Sequence, residues 1–493
     1  MVYKIYMVIQ MIPDYIKQFK PPHSEVREKN GHFYVYSVKG YYDREAKKSK
    51  SKSQGCIGQI YKDVGFVPND KGAPPVEMIT CEYGATRIIM ATSTVIMERL
   101  RECFPSDFLR IYILAVLKVL SNVSTREIDI AYEKSAISKI LPEVHLSKNT
   151  LKTFLERLSL NREGMMNYMS SFHHFNGDNI LFDGASFTSQ FTHNPFVEKG
   201  YCPGNKGKNQ IRLLYAFNKT TRFPIYFYLA PGNIPDVTLF EVAAGEIGVS
   251  NCVIIFDNGF YRKENIDIIL DSGIEFIVPL KRNTKEVPEN AKPFSALEKV
   301  KMHHFNYNKR IVYYAEFPSK KHDGCRTYVY YDNERHQYLQ ENYFNRLNQD
   351  ENKPGSSPEQ IVRDTERLGV TMLLSNLQTT PDEIYCDYKS RWEIEEMFDT
   401  HKNTLGFKMN YETGFAVQEG WSFVEFLALQ MFYKIDGILI NRQMIKSMNV
   451  GSLLFMASRI TQAKIGDKWN ICNITKKDKE LFARLGIDLM VIA

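Results

Sequence analysis

The stretch that most limits the fold starts near Asn176, where short apolar runs begin to alternate with helical ones. "NILFDGASF" (179–187) reads as a buried strand ending in an acid. "QIRLLYAFN" and "FPIYFYLAP" read as two more strands joined by the polar turn "KTTR". "GNIPDVTLFEVAAGEIG" opens with turn residues and becomes a helix, and "NCVIIFDNGFY" is a second buried strand with an acid at its end. "KENIDIILDSG" is a helix closed by Gly273, and "EFIVPLKRN" is a further strand. Three strands, a helix, a strand, a helix and a strand predict an α/β core on a mixed sheet.

The flanks differ in texture. Upstream, "GHFYVYSVKGYY" (31–42) alternates like a strand, and the basic, Ser-rich "REAKKSKSKSQG" after it reads as a mobile loop. From about Thr86 to Tyr168 the pattern is helical, with Ser106 and Asp107 able to cap "FLRIYILAVLKVL", and Ser124, Thr125 and Ser147 ahead of later helices. The short helices around Pro142 have a helix-turn-helix outline, but ordinary helical packing is the simpler reading. Downstream, "RIVYYAEF" and "RTYVYYDN" predict an antiparallel pair about the turn "PSKKHDGC". A helix-like stretch, the loop "NQDENKPGSSPEQ" and the strand "GVTMLLSN" follow. A helix then starts at Pro381, capped near Thr380 or Asp382, and "EGWSFVEFLALQMFYKI" predicts an apolar helix that packs on the sheet.

With 493 residues the chain has room for about three domains. Its 44% hydrophobic and 24% charged residues suit a soluble globular protein with a large core. A net charge of +6 is too mild to indicate nucleic acid by itself. The basic residues cluster, however: five in nine from Arg44 to Lys52, four from Lys199 to Arg212, and Lys281, Arg282 and Lys285 after an apolar run. Taken singly, each cluster reads most simply as a solvated loop. Eight scattered Cys without a C-x-x-C pair point to a reduced, cytoplasmic protein without structural zinc. The pairs His173–His174 and His303–His304 lack a metal-ligand pattern. "MVYKIYMVIQMIP" is interrupted by Lys4 and has no cleavage site, and Ile111 to Val119 is too short to span a bilayer, so no membrane association is expected.

Asp183 and Asp257 each end an apolar run, at the sheet edge where α/β folds often build their sites. A turn-forming Asp before Gly or Asn-Gly is the plainer reading of either one, and the twin context weakens it. A third acid comes from "YKSRWEIEEMFDTHK" (388–402). At about 100° per residue, Tyr388, Arg391, Glu395 and Lys402 fall within roughly 60° of one another on a helix, with Asp399 beside them. Ile394, Met397, Phe398 and Leu405 form an adjacent apolar face, while Glu393 and Glu396 point away, and Trp392, off the centre of the stripe, is expected to pack rather than to stack on a base. A Glu between Arg and Lys suits a site holding a hard cation and phosphate together. It equally suits plain i,i+4 helix support by Arg391 and Glu395.

Tyr388-x2-Arg391-x3-Glu395-x6-Lys402 resembles the Y-R-E-K signature of D-D-E transposases from bacterial insertion sequences, in the branch with a β-strand insertion before the catalytic Glu. "ILFDGASF", "APGNIPD", "IIFDNGFYRKEN" and "FIVPLKRN" resemble that family in order, over about 176–440. The resemblance implies a ribonuclease-H-like core, a mixed sheet flanked by helices and interrupted by a β-rich insertion, behind a mainly helical N-terminal region. The implied divisions are 1–170, an N-terminal strand and helical DNA-binding region; 171–284, the first part of the catalytic core; 285–375, the insertion; 376–440, the second part with the Glu-bearing helix; and 441–493, a C-terminal helical region.

The resemblance further implies that Asp183, Asp257 and Glu395 are the catalytic, metal-binding triad, and that Tyr388, Arg391 and Lys402 contact DNA. Lys206, Lys208 and Lys281 would hold phosphates in basic loops. The implied cofactor is Mg²⁺, two ions, with Mn²⁺ as a substitute, activating the attacking oxygen and stabilising the leaving one. The implied partners are double-stranded DNA, both element ends and target, and a second copy of the chain in a synaptic complex in the bacterial cytoplasm, close to the nucleoid. Two rival readings remain: a transposase-derived DNA-binding protein without activity, and a Mg²⁺-dependent phosphatase of the haloacid-dehalogenase type. The latter wants a second Asp where this chain has Ala185.

Overall fold

A computed structural model describes residues 12–43, 46–62, 64–69, 79–142, 144–172, 177–188, 198–200, 207–234, 236–248, 251–257, 260–281, 286, 303–349, 357–406, 414–465 and 468–490. Lys206, Arg282, Lys285, His173, His174, the N-terminal run 1–11 and most of "NQDENKPGSSPEQ" lie outside them. Two compact units divide the chain: Met1–Thr80 with Ala463–Asn470, and Cys81–Gln462 with Ile471–Ala493.

In the first unit, helix α1 (Asp14–Lys17) precedes an antiparallel meander of β1 (Ser24–Lys29), β2 (His32–Asp43), β3 (Lys48–Tyr61) and β4 (Gly65–Pro68). Ile16, Val26, Val35 and Ile60 make its small core. The expected loop after Asp43 is instead largely strand, since β3 starts at Lys48 and pairs with β2 down to Asp43. Lys and Ser alternate through "KSKSKS", so the period of two is present but neither face is apolar, and a hydrophobicity pattern passes it over.

Strand β5 (Ile79–Glu82) leads into helices α2 (Gly84–Thr92), α3 (Thr94–Cys103), α4 (Phe108–Ser121), α5 (Ile128–Lys134), α6 (Ile137–Ile140), α7 (Lys148–Ser159) and α8 (Arg162–Ser170). Then come β6 (Asp178–Thr188), β7 (Glu198–Lys199), β8 (Asn209–Asn218), β9 (Phe223–Pro231), α9 (Asp236–Ile247), β10 (Cys252–Ile255), α10 (Lys263–Asp271) and β11 (Glu275–Pro279). Strands β12 (His303–Tyr307), β13 (Arg310–Pro318) and β14 (Arg326–Asp332), helices α11 (Asn333–Gln349) and α12 (Pro358–Glu366), and β15 (Val370–Ser375) follow. Ten strands make one mixed sheet in the order β12-β13-β14-β15-β11-β10-β6-β8-β7, with β9 also on β8. Both α9 and α10 are crossovers that leave β6, β10 and β11 parallel, while β8, β9 and β15 run antiparallel to their neighbours. Gly232, after β9, lies so close to the strand below that a Cβ there would stand 2.2 Å from the Gln210 carbonyl oxygen.

The register decides where the acids go. Leu181 of β6 lies opposite Ile255 of β10, so Asp183 and Asp257, each two residues further on, come out level. β6 does not end at its acid, as its sequence suggested, but runs on to Thr188 against β8, with Asp183 opposite Tyr215. β10 stops at Ile255, and among the described residues nothing pairs with β6 beyond Leu181 on that side. The sheet therefore opens at the acids.

After β15 come α13 (Pro381–Lys389), α14 (Trp392–Asp399), a π-helical turn (Thr400–Thr404), α15 (Phe415–Asn441), α16 (Val450–Ala457), β16 (Thr461–Ile465), β17 (Lys468–Cys472) and α17 (Lys476–Leu485). Thr380 and Glu383 close α13 with a reciprocal capping box, and Pro381 occupies its first turn. The single helix read through 388–402 is broken. The Arg391 amide bonds the Tyr388 carbonyl at 3.2 Å and the Ile394 amide bonds that of Arg391 at 3.2 Å, a tightened i→i−3 junction between α13 and α14. No Gly or Pro marks it in the sequence. The expected apolar helix is α15: Phe423, Val424, Phe426 and Leu427 are fully buried, and it packs on β9, α4 and α7. No helix of the described residues is long and apolar enough to cross a membrane.

Candidate active site

Three carboxylates from three elements reach one guanidinium. Arg391, at the α13–α14 junction, lies with its Nη2 2.5 Å from Glu395, its Nη1 3.1 Å from Asp257, and the same Nη1 3.9 Å from Asp183. The i,i+4 pair of Arg391 and Glu395 therefore exists, and the same guanidinium also joins the two aspartates. α14 is held on the sheet by Ile394 and Met397, both fully buried, and by Phe398, whose ring meets Tyr215 edge-on at 5.3 Å. Glu393 is half-buried and pairs instead with Arg222 at 3.0 Å, while Lys219 holds Asp387 at 2.6 Å. These two pairs tie α13 and α14 to the β8–β9 turn.

The electrostatics are lopsided: three carboxylates share one arginine. Asp183, with 19% of its side chain exposed, is pushed up to about 7. Burial is the main cause, and the nearby charges of Asp257 and Glu395 add to it. Arg391 and the Gly184 amide, which donates to Asp183 at 2.9 Å, oppose it. The Tyr388 phenol is likewise raised, first by burial, with Arg391 opposing and Asp257 adding.

The other expected residues are placed as follows. Tyr388 is half-buried beside this cluster, at the end of α13. Lys402 is exposed on the π-helical turn, so the wheel drawn at about 100° per residue does not extend to it. Asp399 is exposed and its carboxylate accepts from the Asn403 amide at 2.5 Å, one turn along. Trp392, expected to pack, is 53% exposed. Lys281 is exposed at the end of β11, and Lys208 is exposed just before β8.

A cleft of about 890 Å³ adjoins Glu395, with Lys281, Tyr388, Trp392 and Arg391 also on its wall. It also receives Arg335 from α11, Arg367 from the end of α12, and Lys389. Sequence reasoning passed over these three cations. Lys389 ends α13 beside Tyr388, while Arg335 and Arg367 belong to no periodic motif and arrive only because β12 to β15 extend the same sheet and carry α11 and α12 to the cleft.

Residues 177–431 match the family described as "Transposase DDE domain". Among solved structures, the cryo-EM structure of a piggyBac transposase synaptic complex with hairpin DNA is similar, with a TM-score of 0.39 and 10% identity over 76% of this chain and 79% of that one. No curated protein matches.

Proposed function

This chain belongs to the Transposase DDE domain family, and on that premise we propose that it cuts and joins DNA at the ends of a mobile element. The convergence of Asp183, Asp257 and Glu395 on Arg391 carries this reading. We read β9-β8-β6-β10-β11 as a ribonuclease-H-like core, and residues 285–375 as a β-rich insertion before the catalytic Glu. The spacing of Tyr388, Arg391, Glu395 and Lys402 supports the Y-R-E-K branch of bacterial insertion sequences. The substrate is double-stranded DNA, element end and target, and two copies of the chain would pair the two ends.

The donor set suits hard divalent cations, Mg²⁺ or Mn²⁺. Three carboxylates against one guanidinium leave the cluster negative, and the raised proton affinity of Asp183 has that shortage of positive charge among its causes. Among the described residues no three such side chains stand around one point as metal ligands, and Arg391 is their shared partner. Asp183, Asp257 and Glu395 would hold the ions. When bound, these activate the attacking oxygen and stabilise the leaving one in a displacement at phosphorus. Arg391 keeps the three acids within reach of one phosphate, and Lys281, Arg335 and Arg367 supply positive charge along the cleft. Asp183 must lose its proton to serve as a ligand.

With Mg²⁺ and a duplex carrying the inverted repeat that flanks its gene, the protein should release a 3′-OH end and join it to target DNA. Asp257→Ala should lower cleavage by at least about 10³-fold, equivalent to about 4 kcal/mol. Glu395→Gln should do the same, and Asp399→Asn should not. Unchanged cleavage by Asp257→Ala would overturn the proposal.

A further inference from the structure

β2 and β3 continue well past the sheet they belong to. β1 pairs with β2 only from His32 to Ser37, and β4 pairs with β3 only from Gly58 to Tyr61. Beyond that, Val38–Asp43 and Lys48–Ser53 pair with each other, six residue pairs in register, and among the described residues no third strand joins them, the Val38 amide at their base also bonding the His23 carbonyl at 2.9 Å. At about 3.3 Å per residue this is a two-stranded ribbon roughly 20 Å long. Register shifts at its base leave Gln54 and Ile57 as extra residues in β3, which sharpens the twist where the ribbon leaves the sheet. Residues 39–42 and 48–52 are exposed throughout.

The two faces of the ribbon are unlike. Directly opposed residues share a face, so Lys39, Tyr41 and Asp43 of β2 stand with Lys52, Lys50 and Lys48 of β3. The reverse face carries Gly40 and Tyr42 against Ser51 and Ser49. Lys39 lies straight across from Lys52, and like charges so opposed destabilise a strand pair. One acid, Asp43, is on the lysine face, and it is held by Lys50 and by the Ala46 amide at 3.0 Å. Tyr41, on the lysine face, is 50% exposed. A ribbon that sets lysines against each other, with no apolar face to bury, is shaped for a polyanion.

We propose that the β2–β3 ribbon is a nucleic-acid-binding arm that lays its Lys39–Lys48–Lys50–Lys52 face along the phosphates of duplex DNA. A two-stranded ribbon fits the major groove of B-form DNA, about 12 Å wide, whereas the major groove of A-form RNA is too narrow to admit it. The lysines make backbone contacts, so the arm adds affinity without sequence choice. This goes beyond the proposed strand cleavage, because it concerns how a duplex is held and leaves the three acids untouched.

The test is fluorescence anisotropy of the full chain on a short mixed-sequence DNA duplex, without divalent metal, across a salt series. Changing Lys48, Lys50 and Lys52 together to Gln should weaken binding and flatten the plot of log affinity against log salt by roughly 0.9 per lysine. Changing the same three to Arg should restore the parent slope, which separates lost charge from lost folding. Ser49→Gln with Ser51→Gln, on the reverse face, should leave the slope unchanged. An unchanged slope in the Gln variant would overturn the arm, as would equal loss in the serine variant, or tighter binding of duplex RNA or phosphatidylserine vesicles than of DNA. The cleavage reading is judged separately: the lysine variant should still cut element-end DNA at low salt, and Asp257→Ala should bind the duplex with the parent slope.

Discussion

Two charged clusters meet at one cross-strand pair, Asp183 and Tyr215, and they are built on opposite principles. At the sheet edge three carboxylates share Arg391, and Glu395 stands open to the cleft. Inside, Lys118 of α4 faces Glu425 of α15 at 3.0 Å, with 4% and 1% of their side chains exposed. His401 of the π-helical turn lies in the same interior and meets the Tyr215 hydroxyl at 3.3 Å. Burial first, and then the charge of Lys118, push His401 down to about 3, so it is neutral. The inner cluster is balanced, one cation for one anion. The outer one is not. Balance is what a buried ion pair needs to persist, since a lone interior charge is costly. Imbalance is what a site for divalent cations and phosphate needs. The contrast separates charges that hold this fold from charges that, on the proposed function, do its chemistry.

The largest expected effect breaks activity while strengthening the fold. Asp183→Asn should lower cleavage by at least about 10³-fold. The carboxyl of Asp183 titrates at about 7 in the fold, against an ordinary value near 3.9. Its contribution to stability is therefore full below the ordinary value and is lost as pH rises through 7. Metal-free protein above pH 7 should gain on the order of 1–3 kcal/mol from Asp183→Asn in urea unfolding. A lower midpoint would contradict the imbalance. For the same reason, divalent-cation binding by the parent should strengthen as pH rises toward about 7, where Asp183 of the metal-free protein loses its proton.

The inner cluster should respond in the opposite sense. Glu425→Gln leaves Lys118 as an unbalanced buried charge and should cost about 3–5 kcal/mol, while Lys118→Met with Glu425→Met should recover most of that loss. Urea midpoints decide it, and a Glu425→Gln protein as stable as its parent would remove the distinction between the clusters. His401 adds a smaller, pH-dependent difference. Its folded value lies below the ordinary one near 6.5, so its stability is present above pH 6.5 and is lost as pH falls toward 3, by a few kcal/mol. His401→Gln should flatten the midpoint-against-pH curve in that window.

The smallest effect sharpens the choice of acid on α14. Glu393 is paired with Arg222, and their side chains are 13% and 33% exposed. Glu393→Gln should cost only about 0.5–1 kcal/mol and leave cleavage unchanged, whereas Glu395→Gln, two residues away, should abolish it. Loss of cleavage in Glu393→Gln would mean that the wrong face of α14 has been assigned.

Much of this could be read before any fold was seen. Asp183 and Asp257 stood out because each ended a short apolar run, and strands that run parallel through matching registers carry matching acids to one level. Glu395 stood out by its spacing from Tyr388 and Arg391. Strand β3 escaped because its alternation is Lys with Ser, which has the period of a strand and no apolar face. The break at Ser390–Arg391 escaped because it is a change of hydrogen-bond partner without a Gly or Pro to mark it. Arg335 and Arg367 escaped because only the long-range pairing of β15 with β11 and β14 brings α11 and α12 to the cleft.

The sequence by itself determined the local matters: where most strands and helices run, which acids follow short apolar runs, and that Arg391 can reach Glu395 across one helical turn. Periodicity and short spacings are enough for these, since they depend on neighbours a few residues away. Only the tertiary structure decided that Arg391 also serves both aspartates, that Asp183 holds its proton near neutrality, and that Lys118 and Glu425 balance in the interior. Those follow from desolvation and Coulomb energy, which depend on distance and burial in space and are blind to distance along the chain.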